Sequence, residues 1–192
     1  MSNKPHSGRI FVVSGASGTG KTTLCRDLER EMGLFFSVSA TTRLPRASEV
    51  EGRDYRFLSR AEFDKMLEHD QFLEWAQVHG QSYGTPREPI ESRLREGHDV
   101  LLDLDTQGAI QLKALYPEAV LIFIKPPSLE ELRKRLTSRG TDSPEVIARR
   151  IERAEHEIEQ SSHYDYVVEN RDLAEARREL KGIIASRREA KA

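Results

Sequence analysis

Eight consecutive residues, Gly15-Ala16-Ser17-Gly18-Thr19-Gly20-Lys21-Thr22, match the pattern G-x-x-x-x-G-K-[ST]. Glycines permit positive φ and close backbone approach, so successive N–H groups can curl around phosphate oxygens. A helix opening at the end of the loop adds partial positive charge. Lys21 can then reach the β- and γ-phosphates, and the Thr22 hydroxyl can ligate Mg²⁺. Thr23 follows directly and is grouped with these ligands. The bland alternative is a glycine-rich turn with an incidental lysine; the apolar run before the motif and the helical pattern after it argue against that. The motif points to a nucleoside triphosphate but does not say what receives the phosphate.

A second stretch, "SATTRLPRASEVEGRDY" from Ser39 to Tyr55, has no helical or strand period. Its first half carries Arg43 and Arg46 and no acid; Glu49, Glu51 and Asp54 come only afterwards. The residue before Pro45 is biased toward extended geometry, and in a polyproline-like path positions three apart share a face. Arg43 and Arg46 could thus converge on one phosphate, each with a planar fork of donors. Solvated loop arginines are the alternative. Further on, "LLDLDTQG" sets Asp103 and Asp105 on one face at the end of a strand, where ligands bind in open parallel sheets.

The elements that must position these residues alternate along the chain. "RIFVVSG", "DVLLDLD" and "AVLIFIK" are short β-branched and aromatic runs that read as buried strands, their length and composition favouring strand over buried helix. Helical patterns follow each: Gly20 to Met32, "TQGAIQLKALY" and "SLEELRKRLTS". That alternation predicts a parallel sheet with helices on both faces. From Phe35 to Gly84 the rhythm breaks into short pieces and one helix, Arg60 to Glu68, predicting a small, mostly antiparallel inserted lobe. Ser143 to Ser162 reads as a long charged helix with apolar residues at Val146, Ile147, Ile151 and Ile158, followed by a strand in "YDYVVEN" and a closing helix.

With 192 residues, 37% hydrophobic, the chain is long enough for one well-buried core and too short for two ordinary domains. The formal net charge of −2 gives no global attraction to nucleic acid or anionic membrane, so anion binding must come from local clusters. A single Cys25 excludes an internal disulfide framework and suits a reducing cytoplasm; it reads as a packing residue. Six histidines show neither metal-ligand spacing nor a Ser-His-Asp arrangement. No apolar run approaches a membrane span or a signal peptide, and the first eight residues read as a frayed tail.

Taken together, "SGASGTGKTTL", "FSVSATTRLPRASEVEGRDYRF", "FLEWAQVHGQSYGTP", "LLDLDTQG" and "RLTSRGTD" resemble guanylate kinases, block by block and in order. The resemblance implies an α/β P-loop nucleoside monophosphate kinase fold. It has a parallel core (about 9–34, 98–130 and 163–192), a mixed α+β GMP-binding lobe (about 35–97) and a helical lid (about 131–162). It implies transfer of the ATP γ-phosphate, with Mg²⁺, to GMP and also dGMP, giving ADP and GDP, with monomer or homo-oligomer undecided and no nucleic-acid or membrane partner.

By the same resemblance Tyr55 and Tyr83 join Arg43 and Arg46 at the GMP phosphate, and Ser39, Glu74 and Thr85 read guanine. A carboxylate can accept from N1–H and the 2-amino group, both of which adenine lacks. The alternative for Glu74 is a solvent-facing position on an alternating strand. Eukaryotic-type members of the family often have serine where this chain has Thr85, and the hydroxyl is retained. Asp103 and Asp105 are implied as contacts of GMP or of the Mg²⁺ hydration shell, with helix capping equally open to Asp105. Arg135, Arg139 and Arg150 match lid arginines that stabilise the transferring group, while Arg133, Lys134, Arg149 and Arg153 read as solvated. Asn170 matches an adenine-side asparagine, although Arg171 departs from the acidic residue common beside it. Two rivals remain: a ribose-bisphosphate-type kinase, which needs no guanine reader, and a peptide-binding module, which has no use for an intact phosphate loop.

Overall fold

The computed structural model describes residues 8–189 apart from 79, 139 and 141. Its centre is a five-stranded, all-parallel sheet in the order β2-β7-β1-β8-β9. The strands are β1 (Ile10–Gly15), β2 (Phe35–Phe36), β7 (Val100–Asp103), β8 (Val120–Lys125) and β9 (Tyr166–Glu169). β1 is buried along its whole length, because its side chains alternate between two faces and helices cover both. Phe11 and Val13 point into one core layer, and Ile10 and Val12 into the other. β8 divides the same way, Ile122 and Ile124 against Leu121 and Phe123.

On the first face, α1 (Lys21–Met32) and α7 (Leu173–Glu189) bury Leu24, Cys25, Leu28, Leu180 and Ile184. α3 (Arg87–Arg95) and α4 (Thr106–Leu115) cover the second with Ile90, Leu94, Ala109 and Leu112. Burying each such leucine or isoleucine is worth about 1.5–3 kcal/mol, so these stripes hold the helices on the two faces of the sheet. The fully buried Cys25 is a packing residue, and burial pushes its thiol well above the ordinary range.

A second sheet, in the order β4-β3-β6-β5, is the inserted lobe. It comprises β3 (Ala40–Thr41), β4 (Arg56–Phe57), β5 (Phe72–Val78) and β6 (Gln81–Pro86). β3–β6 and β5–β6 are antiparallel, while the short β3–β4 pair is parallel. α2 (Arg60–Glu68) closes its small core of Ala40, Phe63 and Phe72, and its N-terminus is satisfied by a capping box of Ser59 and Glu62. Two expectations change here. β2 pairs with β7 in the parallel sheet although Phe35 and Phe36 fall within the expected lobe, and α3, within the same expected lobe, packs on the main core. Both ends of the 35–97 segment thus belong to the core, which leaves the second sheet to begin at β3 and end at β6. Gly8, expected in a frayed tail, is buried and donates its N–H to the Leu94 carbonyl.

α5 (Leu129–Ser138) and α6 (Pro144–Glu159) form a hairpin whose Leu132, Leu136, Ile147, Ile151 and Ala154 pack together and onto Ala16. α6 starts with Ser143 accepting from the Val146 N–H and Pro144 at the first helical position, which fixes its entry. A 3-10 turn, Gln160–His163, ends the charged stretch read as one helix. The hairpin, the second sheet and the carboxyl ends of β1 and β7 surround one cleft. None of the described helices is long and apolar enough to cross a membrane.

Candidate active site

The loop after β1 is built for an anion. At Gly15, φ is 142°, and a Cβ there would stand 2.1 Å from the Ile124 carbonyl oxygen. Gly20, at φ 89°, begins α1 with no side-chain cap and no acid in the first turn. α2, α4 and α6 each have a side-chain cap, from Ser59, Asp105 and Ser143. The first-turn N–H groups of α1 have no side-chain cap and face the phosphate loop, where they can serve a ligand. Lys21 Nζ lies over the loop, donating to the carbonyls of Gly15 (2.5 Å) and Ala16 (3.3 Å).

Thr19 is buried and donates its hydroxyl to the Ala16 carbonyl, bracing the loop from within. Asn170 is buried as well. Its amide donates to the Thr19 carbonyl at 2.6 Å, and a Cβ on Gly20 would lie 2.9 Å from it. The side chain matched to adenine binding thus braces the phosphate loop through its Nδ2. Arg171 folds back onto Glu169.

Thr22 donates to Asp103 Oδ2 at 2.8 Å, tying the start of α1 to the end of β7. Two hard oxygen donors at a phosphate loop suit Mg²⁺, which takes one or two protein oxygens and fills its shell with water and phosphate. Asp105 takes the capping role: it accepts the Gly108 N–H at 2.8 Å as the N-cap of α4.

Across the cleft, Arg43 is not unpaired as its sequence neighbours suggest. Its Nη1 and Nη2 make a bidentate pair with Glu49, at 3.0 and 2.8 Å. Glu49 also accepts the Arg46 N–H at 2.7 Å, and the Arg46 guanidinium lies 3.9 Å away. The Arg43 fork holds the Glu49 carboxyl below the ordinary range, with desolvation opposing and the Arg46 amide assisting. The two arginines do share a face, and a carboxylate already occupies it. Arg43 lies 5.4 Å over the Tyr55 ring, which meets Tyr83 edge-on at 6.0 Å. Burial, with the nearby Asp103 charge, pushes the Tyr55 phenol up to about 12, so it remains a hydrogen-bond donor at neutral pH.

Glu74 is buried on β5. It shares a face with Ala76 and Val78 toward the cleft, while Trp75 and Gln77 face outward. A bulge between Phe72 and Glu74 lets Leu73 join the main core at the same time. The Thr85 hydroxyl donates to Glu74 Oε1 from behind, so Thr85 supports the carboxylate. Burial raises the Glu74 carboxyl to about 7; the Thr85 bond opposes this and the Asp105 charge adds to it. The solvent-facing alternative for Glu74 is excluded.

One cleft of about 750 Å³ gathers Gly15, Ser17, Lys21, Ser39, Arg43, Arg46, Tyr55, Glu74, Tyr83, Asp103, Asp105 and Arg150. Arg150 is paired with Asp142 at 2.9 Å. Arg135 does not line the cleft; its guanidinium donates to the carbonyls of Asn170 and Arg171, at 3.0 and 3.4 Å. Arg139 lies outside the described residues. Arg153, read as solvated, lines the cleft beside Arg150 and pairs with Glu157 at 2.9 Å. The spacing of three on α6 was its available signal. Glu49 and Asp142, the carboxylates holding these arginines, were also missed as parts of the site.

The guanylate kinase family model matches residues 7–187. The chain belongs to the guanylate kinase family. It is 48% identical to the guanylate kinase of Bordetella pertussis over 98% of this chain and 88% of that one. With the guanylate kinase of Gloeobacter violaceus it shares 53% identity over 88% and 82%. The crystal structure of guanylate kinase from Anaplasma phagocytophilum superposes with a TM-score of 0.78 at 37% identity, covering 93% of this chain and 85% of that one.

Proposed function

We propose that this guanylate kinase transfers the γ-phosphoryl group of ATP to GMP, and to dGMP, by direct in-line displacement. The observation that carries the reading is the pairing of opposites across one cleft. An uncapped helix start with Lys21 lies on one side; Arg43, Tyr55, Tyr83 and the buried Glu74 lie on the other. The loop amides and Lys21 hold the β- and γ-phosphates, braced by Thr19 and Asn170. Thr22, with Asp103 beside it, would hold Mg²⁺, which when bound neutralises charge on the donor phosphates. Arg43 and Arg46 receive the GMP phosphate, and Tyr55 and Tyr83 donate phenolic hydrogen bonds to it. Glu74, steadied by Thr85, accepts from guanine N1–H and N2–H, with Ser39 at its edge. Hydrogen bonds to a charged acceptor are worth about 1.5–3 kcal/mol each, so two give roughly 10²–10⁴ against adenine.

No general base is required, because the attacking phosphate oxygen is already anionic. The chain's contribution is position and positive charge. The α5–α6 hairpin acts as a lid that brings Arg150 to the transferring group and excludes water, and Arg135 positions the donor side through the backbone after β9. The single buried thiol of Cys25 supports a reducing compartment, the cytoplasm. A coupled ADP-release assay across GMP, dGMP, AMP, CMP and UMP tests the reading. Turnover is expected with GMP and dGMP; activity with AMP and none with GMP overturns it.

A further inference from the structure

The Glu74 carboxylate lies against the first turn of α4, at the one residue there without a side chain. A Cβ placed on Gly108 would stand 2.5 Å from Glu74 Oε2 and 3.0 Å from its carboxyl carbon. No real side chain tolerates that approach, so one partner would have to move. Nothing else about position 108 requires glycine. It lies within a helix, its φ is outside the left-handed region, and alanine is the better helix former. Its N–H donates to Asp105 as the N–H of another residue would. What glycine supplies here is space, and the Glu74 carboxylate fills it.

We infer that Gly108 is a specificity-determining positioning residue, its missing side chain forming the seat that holds the Glu74 carboxylate toward the guanine edge. The inference rests on the GMP reading above. Thr85 fixes one carboxylate oxygen from β6, and Gly108 sets how deep the other can lie. The obstructed atoms are the end of a flexible side chain. An added methyl therefore displaces the carboxylate into the cleft and leaves the helix in place.

Gly108→Ala separates recognition from stability. A displacement near 1 Å costs on the order of 10²-fold in a positioned contact, so kcat/KM for GMP relative to AMP should fall by at least about tenfold. KM for ATP should stay within about twofold, since no donor-side ligand touches α4 at this point. The thermal midpoint should hold or rise, because alanine favours the helix. Glu74→Asp shortens the carboxylate and clears the methyl. The Glu74→Asp/Gly108→Ala pair should therefore lose less than the product of the single losses.

An unchanged GMP/AMP ratio in a folded Gly108→Ala protein overturns the inference. So does a loss shared equally by ATP and GMP with a lowered midpoint, or strictly multiplicative losses in the double variant. If the unsubstituted protein itself fails to prefer GMP, the guanine reading falls and the inference falls with it. If that preference is intact and only the Gly108→Ala effects are missing, the inference falls alone.

Discussion

The loop after β1 and the loop from Ser39 to Tyr55 both present positive charge to a phosphate, and they prepare for it in different ways. The first relies on backbone: an uncapped helix start, glycine geometry and a lysine parked on the loop's own carbonyls. Among the described residues, the partners of Lys21 Nζ are backbone carbonyls and not an acid side chain. The second relies on side chains, and their charge is already answered by Glu49. Backbone donors are fixed by the fold and need no counter-charge to stay in place. Two arginines within four residues repel each other and swing freely unless something gathers them. Arg150 follows the second pattern, held by Asp142.

This contrast orders the substitutions. Lys21→Met removes a charge nothing else in the backbone-built loop replaces, and should cost about 10³-fold or more in kcat with the thermal midpoint unchanged. Near-normal turnover would mean the loop does not hold the transferring phosphate. Arg43→Met removes a bidentate donor from the side-chain loop and should cost about 10²-fold in kcat/KM for GMP, with KM for ATP little changed. If ATP binding suffers equally, the two loops do not serve separate phosphates.

The same contrast explains what could be read from the residues alone. Gly15 to Thr22 was legible because backbone chemistry demands particular residue types at fixed spacing, and β1, β7 and β8 were legible because burial on both faces keeps their runs largely apolar. The partners of the arginines were not. Glu49 lies within the quoted stretch, but extended-loop reasoning places Arg43 and Arg46 together without saying what turns back between them. The Glu49 N–H donates to the Arg46 carbonyl, a loop reversal that brings the carboxylate home, and no local periodicity encodes it. Asn170 and Gly108 lie far along the chain from the residues they touch, Thr19 and Glu74, so only the fold brings them together. β2 was misplaced because two residues are too few to show a pattern that distinguishes one sheet from another.

Glu74 is a third arrangement, a buried carboxyl whose neighbours are the Thr85 hydroxyl and the Asp105 charge. Burial pushes its carboxyl up from the ordinary 4.5 to about 7, so between those values the folded state holds the extra proton. Stability therefore falls as pH rises through that window, by about 3 kcal/mol at most once the group is ionised. Recognition runs the other way, because guanine needs the carboxylate; KM for GMP should fall as pH rises toward 8. The GMP phosphate itself titrates near about 6 and pushes in the same direction. Glu74→Gln isolates the effect. It should raise KM for GMP by about 10²-fold, flatten that part of the pH profile, and gain more stability over the unsubstituted protein at pH 8 than at pH 5. A pH profile that survives in Glu74→Gln would assign the titration to the nucleotide.

The smallest change bears most directly on the two loops. Glu49→Gln keeps the shape of the gathered arginines but removes the charge that answers them, making this loop resemble the one after β1. The pair is partly exposed, so its neutralising effect is worth about 0.2–1 kcal/mol. An incoming phosphate no longer competes with a carboxylate for the Arg43 fork. Inorganic phosphate and GMP should therefore bind about two- to fivefold more tightly at low salt, with the gain fading as ionic strength rises. Calorimetric titration of phosphate and of GMP into both proteins at two salt concentrations measures this. Weaker GMP binding in Glu49→Gln would show that Glu49 braces the arginines in place during binding, and that the side-chain loop, unlike the backbone one, cannot hold its shape without its own acid.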